Sequence, residues 1–334
     1  QRQMCIRDRA AAMLVSASAM AFAEGTSEKG TIVYGSSTEI GGDFAPDSWW
    51  TNNATDKMIR NLTNDYTVTT TNQGGEYVVN PTIANNIESV VNPDGSKTFT
   101  VTINEGLTYN NGEEIKAADY IWAEVFSCSK VAMDVGAKLT GYLTYVGGQE
   151  YYDGAATAVS GIRLIDDYTF SVTIVADKIP YYYDLRYIQL QPLSIKYWLG
   201  DGVELKDDGE GCYLSDEFYA KDDAGEYVTA AHMSESRYDV STYPFSGAYV
   251  ITDWDQGTKQ CTLTINPEFK GNFEGQTPSI ETVVYVFVVS ETQLEQLKTG
   301  AVDVLSGITG GDDTKAALAI VDDVNFSEVH YQRA

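Results

Sequence analysis

The sequence has few of the residues that carry catalytic or metal chemistry. Its 334 residues include two histidines, His232 and His330, and four cysteines. It contains no Gly-x-Ser-x-Gly motif and neither of the glycine loops that bind nucleotides. A hydrolase needs a nucleophile beside a base, and no such pair stands out. We therefore predict no catalytic residue, no cofactor and two surface histidines.

Cysteines and metal-binding patterns are equally scarce. Downstream of the first 23 residues only Cys128, Cys212 and Cys261 remain, an odd number without metal or disulfide-framework spacing. We predict buried free thiols or at most one bridge. Acidic pairs such as Asp207–Asp208 lack the alternate-residue spacing of a calcium loop, so we predict no metal site. A carboxylate pair that hydrolyses glycosides stays open, because its members would be distant in sequence.

Basic residues are also few. The chain has 22 lysines and arginines against 48 aspartates and glutamates, a net charge of −26. A surface of this sign repels phosphate backbones, which excludes nucleic acid as a partner. It favours solubility outside the cell and attraction of cationic ligands.

Long apolar runs are absent except near the N-terminus. Arg7 and Arg9 precede an apolar stretch over residues 10–22, which ends in a small-x-small pattern at Ala21 and Ala23. Basic residues followed by such a stretch and pattern are typical of an export signal. We predict a signal peptide over residues 1–23.

Removal of that signal would leave a strongly acidic exported protein. Residues 24–334 carry 19 basic and 47 acidic side chains, a net charge of −28. Cys5 precedes the apolar stretch, so it is not placed as the lipidated cysteine of a lipoprotein. We predict a periplasmic, cell-surface or extracellular location without a lipobox.

Alternating hydrophobicity predicts two β-hairpins with a helix between them. Over residues 98–103, Phe99, Val101 and Ile103 alternate with threonines, and the turn signal at residues 92–95 makes residues 87–91 the partner strand. The same pattern recurs over residues 162–174. Residues 117–126 place apolar side chains on one helical face, which predicts a helix that covers the sheet.

The remaining chain predicts further elements of an α/β fold. A strand begins at Thr31 and a short helix follows over residues 55–62. Residues 201–241 are rich in Asp, Glu, Gly and Lys, and indicate a surface excursion around short hairpins. Residues 283–289 predict a strand buried on both faces. A capping box at Ser290 then starts a helix, and a parallel strand returns over residues 301–305.

Several segments resemble a known protein family in order and spacing. They are the run Val101–Trp122 with its Tyr-Asn-Asn-Gly turn and Ala-x-Asp, the hairpin Ser160–Ile174 followed by Ile179–Tyr183, the stretch Tyr243–Tyr249 with Trp254 and Leu263–Phe269, and Leu297–Val304. From residue 31 to the end, the chain resembles the oligopeptide-binding branch of the bacterial extracellular solute-binding proteins, family 5.

The resemblance implies a fold and a division of the chain. It implies an α/β, periplasmic-binding-protein-like two-lobed fold with an extra domain, of which the chain holds only the mixed sheet of lobe I and a small α+β domain. The second lobe is expected to be missing, which would expose apolar surface and promote self-association. The expected parts are a signal peptide (1–23), a first part of lobe I (24–62), a small subdomain of hairpins and helix (63–184), the rest of lobe I (185–323) and the start of the hinge crossing (324–334).

The resemblance also implies cleft residues on this side of the ligand. The loop Asp47, Ser48, Trp49 and Trp50 matches the family's cleft-edge loop after the first strand, and Gly247 and Tyr249 lie in a matching Gly-x-Tyr unit. The alternative is that both tryptophans are core aromatics and that Gly247 and Tyr249 serve packing.

The function that the resemblance implies is ligand capture without catalysis. We expect the substrate-binding component of an ABC importer, which captures extracellular oligopeptides, delivers them to a membrane permease, and is a monomer when complete. The alternatives are the same role with a nickel chelate, haem or oligosaccharide as cargo, or a secreted acidic hydrolase.

Overall fold

The computed structural model describes residues 30–46, 49–72, 74–179, 182–308 and 310–320. Its strands are β1 (Thr31–Ser36), β2 (Thr69–Thr71), β3 (Tyr77–Val79), β4 (Ala84–Val91), β5 (Lys97–Ile103), β6 (Ile162–Leu164), β7 (Thr169–Ile174), β8 (Leu205–Asp207), β9 (Cys212–Leu214), β10 (Tyr249–Asp255), β11 (Gln260–Ile265), β12 (Thr282–Phe287) and β13 (Val304–Ser306). Its α-helices are α1 (Ala54–Thr63), α2 (Ala117–Ser127), α3 (Val131–Asp134), α4 (Gly148–Asp153), α5 (Ile195–Leu199), α6 (Val228–Ser236), α7 (Gln293–Thr299) and α8 (Gly311–Leu318). The predicted signal peptide, His330 and the predicted hinge start lie outside the described residues.

A five-stranded mixed sheet joins the two ends of the described chain. Its strand order is β10-β11-β12-β1-β13. β1 runs parallel to both β12 and β13, whereas β11 runs antiparallel to β10 and β12. The predicted strand–helix–strand unit is present, but β1 lies between its two strands. As a result, β1, β10, β12 and β13 all point their carboxyl ends towards the same edge of the sheet.

The burial of β12 differs in part from the prediction. Val283 and Tyr285 are buried, and the alternate residues Val284 and Val286 are half-buried. Phe287 and Val289 at the end of the strand are exposed. The prediction of a strand buried on both faces is therefore wrong for its second face, which the described elements cover only in part.

A separate four-stranded antiparallel sheet contains the two predicted hairpins. Its order is β4-β5-β7-β6, and residues Phe99, Val101 and Ile103 of β5 point into the core as the alternation predicts. The helix α2 packs on β6 and β7 with Ile121, Trp122 and other apolar side chains buried. Both hairpins and their covering helix are confirmed.

The N-terminus of α2 is capped by the carboxyl group of Asp119 rather than by the side chain at the cap position. Lys116 stands at the N-cap, and its backbone N–H donates to Asp119 Oδ2 at 2.9 Å. Asp119 lies one turn into the helix and also accepts the amide of Ile195, which begins α5. One carboxyl group therefore joins the starts of two helices.

We expect the chain to lose stability as the pH rises from about 4 to about 7. Burial raises the pKa of Asp119 from 3.8 to about 7, against the lowering effect of its backbone hydrogen bonds. In this window the unfolded chain has released the proton and the folded chain still holds it. The free energy of unfolding that this group contributes therefore falls by up to about 1.4 kcal/mol per pH unit.

Thermal denaturation of D119N between pH 5 and pH 8 tests this expectation. The amide cannot ionise, so the melting temperature of the variant should depend less on pH than that of the wild type. Asp94 offers the opposite control, because hydrogen bonds from Ser96 lower its pKa. Above pH 5 Asp94 is ionised in both the folded and the unfolded chain, so D94N should leave the wild-type slope unchanged. A D119N slope equal to that of the wild type would contradict the assignment.

Residues 201–241 contain more regular structure than the prediction of a surface excursion. β8 and β9 form the expected short hairpin. The helix α6 was not predicted, because its buried positions are Thr229, Met233 and Ser236, a set with too few apolar residues to give a helical pattern. The segment thus packs on the core through polar as well as apolar side chains.

The predicted capping box at Ser290 is also wrong. The helix α7 begins at Gln293, and its N-cap residue Thr292 makes no side-chain capping bond. The Gln293 side chain, which a capping box would turn back towards Ser290, is buried instead.

The cysteine prediction is confirmed for the described residues. Cys128, Cys212 and Cys261 are buried and free. None of the described helices combines the length and the apolar character that a membrane span needs.

Candidate functional site

The carboxyl ends of four strands form one edge of the five-stranded sheet. We call this the strand-end edge. It comprises the last residue of β1, β12 and β13 with the residues that follow each strand (36–42, 287–292 and 306–308), and Trp254 and Asp255 at the end of β10. In open α/β sheets, ligands bind in the crevice outside the carboxyl ends of the strands. The edge is therefore the candidate site.

The first turn of α1 holds the loop that follows β1. Asp56 is fully buried, and its Oδ1 accepts the N–H of Gly41 at 2.8 Å and of Gly42 at 3.3 Å. Its Oδ2 accepts the N–H of Asp43 at 3.4 Å. Burial raises the pKa of Asp56, and the three amide donors and Arg60 act to lower it. The carboxyl group thus fixes the path of the loop along the edge.

The loop also rests on the end of β10. Gly42 has φ +78°, and a β-carbon there would lie 2.7 Å from the Trp254 ring. Phe44 meets the same ring edge-on at a centroid distance of 5.6 Å. Lys259, in the turn after β10, pairs with Glu39 at 3.2 Å. Only glycine permits both the backbone conformation and the close approach at position 42.

Asp43 and Trp50 are both held by one arginine. Arg237 Nε donates to Asp43 Oδ2 at 2.9 Å, and Nη2 donates to the same oxygen. The Arg237 guanidinium carbon lies 4.7 Å from the centroid of a Trp50 ring. A charge-assisted hydrogen bond and a cation–π contact therefore meet at this side chain.

Of the predicted cleft loop, Trp49 and Trp50 are described, and Asp47 and Ser48 lie outside the described residues. Trp49 is 5% exposed and meets the rings of Trp122, Phe126 and Trp198 at 5.3–5.9 Å. Trp50 is half-buried, and its Nε1 donates to the Val135 carbonyl at 2.8 Å. Trp49 lies in the aromatic core, and Trp50 lies between that core and the surface.

Gly247 and Tyr249 lie apart from the tryptophans. The Gly247 N–H donates to the Thr63 carbonyl at 2.8 Å, at the end of α1 opposite to the strand-end edge. Tyr249 begins β10 and is buried, with its hydroxyl donating to the Ile280 carbonyl at 2.9 Å. The structure thus does not join the predicted residues into one group, and their assignment to ligand binding stays a prediction.

The sequence interpretation did not identify Asp56, Asp43 or Arg237. Asp56 carried a weak signal, because an acidic residue is common in the first turn of a helix. The pair of Asp43 and Arg237 is separated by 194 positions, and no local pattern could have joined its members.

A second concavity lies away from the strand-end edge. It has a volume of about 430 Å³, and its lining includes Glu113, Lys196, Asp201, Glu235 and His232. His232 is half-buried, and its Nε2 lies 2.9 Å from the Tyr197 carbonyl. The prediction of a surface histidine is therefore only partly right at this position.

Metal binding has no candidate group in the described part of the chain. Among residues 30–46, 49–72, 74–179, 182–308 and 310–320, no three His, Cys, Asp or Glu side chains converge on a point where an ion could bind.

Solved structures of binding proteins resemble this fold. Haemophilus influenzae OppA in complex with the peptide RPPGFSPFR is 19% identical, with a TM-score of 0.61 over 88% of this chain and 49% of that chain. AppA from Bacillus subtilis in complex with a nonapeptide is 19% identical, with a TM-score of 0.54 over 86% and 45%. A Borrelia burgdorferi oligopeptide-binding protein is 15% identical, with a TM-score of 0.61 over 87% and 50%. The predicted fold class is confirmed.

The chain spans about half the length of these structures. No curated protein sequence matches it. The sequence model of the bacterial extracellular solute-binding proteins, family 5 (Middle), matches residues 79–332, about three quarters of the chain. The chain therefore belongs to the bacterial extracellular solute-binding proteins of family 5.

Proposed function

We propose that this protein is the substrate-binding component of an ABC importer that captures oligopeptides outside the cytoplasm and delivers them to a membrane permease. The observation that carries the proposal is the family match together with the ligands of the structural neighbours. Six of the solved structures that resemble the chain are described as peptide complexes or as peptide binders with an established binding mode.

The strand-end edge supports capture of an extended chain. The loop over residues 38–42 is held in one shape by α1 and Trp254, so little ordering cost remains for binding. Phe287 and Val289 are 38% and 47% exposed at the same edge and offer apolar contact to ligand side chains. A loop that is already fixed in shape can bind the main chain of an extended peptide. The exposed apolar groups can contact the peptide's side chains with little selectivity.

We propose no catalysis. The buried cysteines have thiol pKa values raised by desolvation, which keeps them protonated and poor as nucleophiles. The half-buried His232 has a carbonyl, a serine and no carboxylate as its hydrogen-bond neighbours. Neither arrangement supplies an activated nucleophile with an oriented base.

Thermal-shift screening tests the proposal on the longest natural polypeptide that carries this sequence. The ligands are mixed tri- to hexapeptides, oligosaccharides, haem and a nickel chelate. A ligand at 100 times its dissociation constant adds about 2.7 kcal/mol to the free energy of unfolding. A higher melting temperature with peptides alone supports the proposal. Stabilisation only by a sugar, haem or the nickel chelate would contradict a peptide cargo and identify that ligand as the cargo instead.

We further expect cationic peptides to associate faster than anionic ones. Residues 24–334 carry a net charge of −28, and a field of that sign attracts cations. Stopped-flow association of Lys-rich and Glu-rich peptides of equal length measures the difference. The advantage of the Lys-rich peptide should shrink between about 20 mM and 500 mM salt, because the Debye length falls several-fold. Equal rates at low salt would contradict this role of the charge.

A further inference from the structure

Arg237 connects two positions on the loop that follows β1. It lies directly after α6, and its guanidinium donates two hydrogen bonds to Asp43. The side chains of Arg237 and Asp43 are 24% and 6% exposed. The second Asp43 oxygen accepts the N–H of Ala45 at 3.3 Å. The pair therefore fixes the backbone at Asp43 and Ala45.

The same guanidinium also contacts Trp50. It lies over a Trp50 ring at 4.7 Å, and the Tyr238 ring lies 5.0 Å from the same carbon. Trp50 is in turn tied to the Val135 carbonyl by its indole N–H. One side chain, placed directly after a helix distant in sequence, thus holds both Asp43 and Trp50.

Asp43 and Ala45 continue directly from the strand-end edge. Asp43 follows the residues that Asp56 holds, so the anchors at Asp56 and Arg237 act on consecutive parts of one loop. Loss of Arg237 would leave the buried Asp43 carboxylate without its cation and would free Trp50 from its cation–π contact. The backbone around Asp43 would then have to be ordered each time a ligand binds.

We propose that Arg237 is a positioning residue that holds Asp43 and Trp50 in place and so keeps the strand-end edge preformed for its ligand. The part that concerns the ligand rests on the proposed function. This clamp on Asp43 and Trp50 is a property of the ligand-free protein and can be measured without any ligand.

The chain contains a matched ion pair for control. Arg163 Nε and Nη2 donate to the two Asp207 oxygens at 2.8 and 2.9 Å, and the two side chains are 35% and 10% exposed. This pair joins β6 to β8, away from the strand-end edge. R163M and R237M both remove the guanidinium of a partly buried pair and keep most of the side-chain stem, so a purely structural role predicts similar consequences for both.

Hydrogen exchange on the ligand-free protein tests the clamp, at a temperature where both variants are folded. R237M should exchange the amides of residues 43–45 about tenfold faster than the wild type, a loss of protection of about 1.4 kcal/mol. R163M should leave these amides unchanged. R237K keeps the positive charge but lacks the planar guanidinium that donates two hydrogen bonds. Its exchange rates should therefore lie between those of R237M and the wild type. Unchanged exchange in R237M overturns the inference.

Calorimetric titration with a peptide identified by the thermal-shift screen tests the ligand part. R237M should weaken binding about tenfold, with most of the loss in the entropy, and R163M should bind as the wild type does. Faster exchange with unchanged affinity in R237M would overturn the ligand part of the inference. A wild-type protein that binds no peptide would overturn the proposed function and that part together, while the exchange result still decides the clamp.

Discussion

Replacing Trp49 by alanine should lower the free energy of unfolding by about 3–5 kcal/mol, the usual cost of removing a large buried aromatic side chain. Trp49 is 5% exposed and contacts four aromatic rings, those of Trp50, Trp122, Phe126 and Trp198. The cavity would form within the aromatic core, between Trp122, Phe126 and Trp198. Urea denaturation measures the change.

Two variants separate this loss from a general effect of removing an aromatic ring. Tyr182 is 88% exposed, so Y182A should change the free energy of unfolding by less than about 0.5 kcal/mol. W49F keeps most of the ring contacts and should lose less than W49A. A W49A protein as stable as Y182A would contradict the position of Trp49 in the core.

Replacing Gly247 by alanine should lower the free energy of unfolding by about 3 kcal/mol, the upper part of the range for overpacking. A β-carbon at position 247 would lie 2.4 Å from the Thr63 carbonyl carbon and 2.5 Å from the Leu62 carbonyl oxygen. Both are backbone atoms at the end of α1, so they cannot move away as a flexible side chain would. The helix would have to shift from β10.

Gly311 provides the matched control for Gly247. It begins α8, its backbone is helical, and a β-carbon there would meet no atom within 4 Å. G311A should therefore be neutral or stabilise the chain by about 0.5 kcal/mol, through helix propensity and reduced freedom of the unfolded chain. Equal effects of G247A and G311A on the denaturation midpoint would contradict the close approach at Gly247.

Both large effects fall on residues that the family resemblance places near the ligand. Each is expected in the ligand-free protein, because each follows from packing. A role of Trp49 or Gly247 in binding would therefore have to be measured in variants that keep the fold, such as W49F.

Local patterns in the sequence predicted the antiparallel part of the fold well. The alternation from Thr98 to Ile103 and the turn at residues 92–95 together specify a hairpin, because the two strands are adjacent in sequence. The helix α2 was predicted for a similar reason, since its apolar residues recur at helical spacing. In these elements the local preference and the tertiary packing agree.

Contacts between distant segments were beyond such patterns. The insertion of β1 between β12 and β13 depends on pairing across some 250 residues, which no local signal reports. The same holds for the contact of Arg237 with Asp43 and Trp50. The predicted cleft residues came from the family resemblance, whereas the anchors of the loop became visible only when α1, α6 and β10 were placed together.

The strand-end edge is the central claim, and photo-crosslinking tests it most directly. A tetra- or pentapeptide that carries a photoreactive phenylalanine is bound to the longest natural polypeptide with this sequence, irradiated, and mapped by mass spectrometry after digestion. Crosslinks are expected within residues 36–42 and 287–292, and excess unlabelled peptide should suppress them. Crosslinks confined to the concavity around Lys196 and His232, with the strand-end edge unmarked, would contradict it.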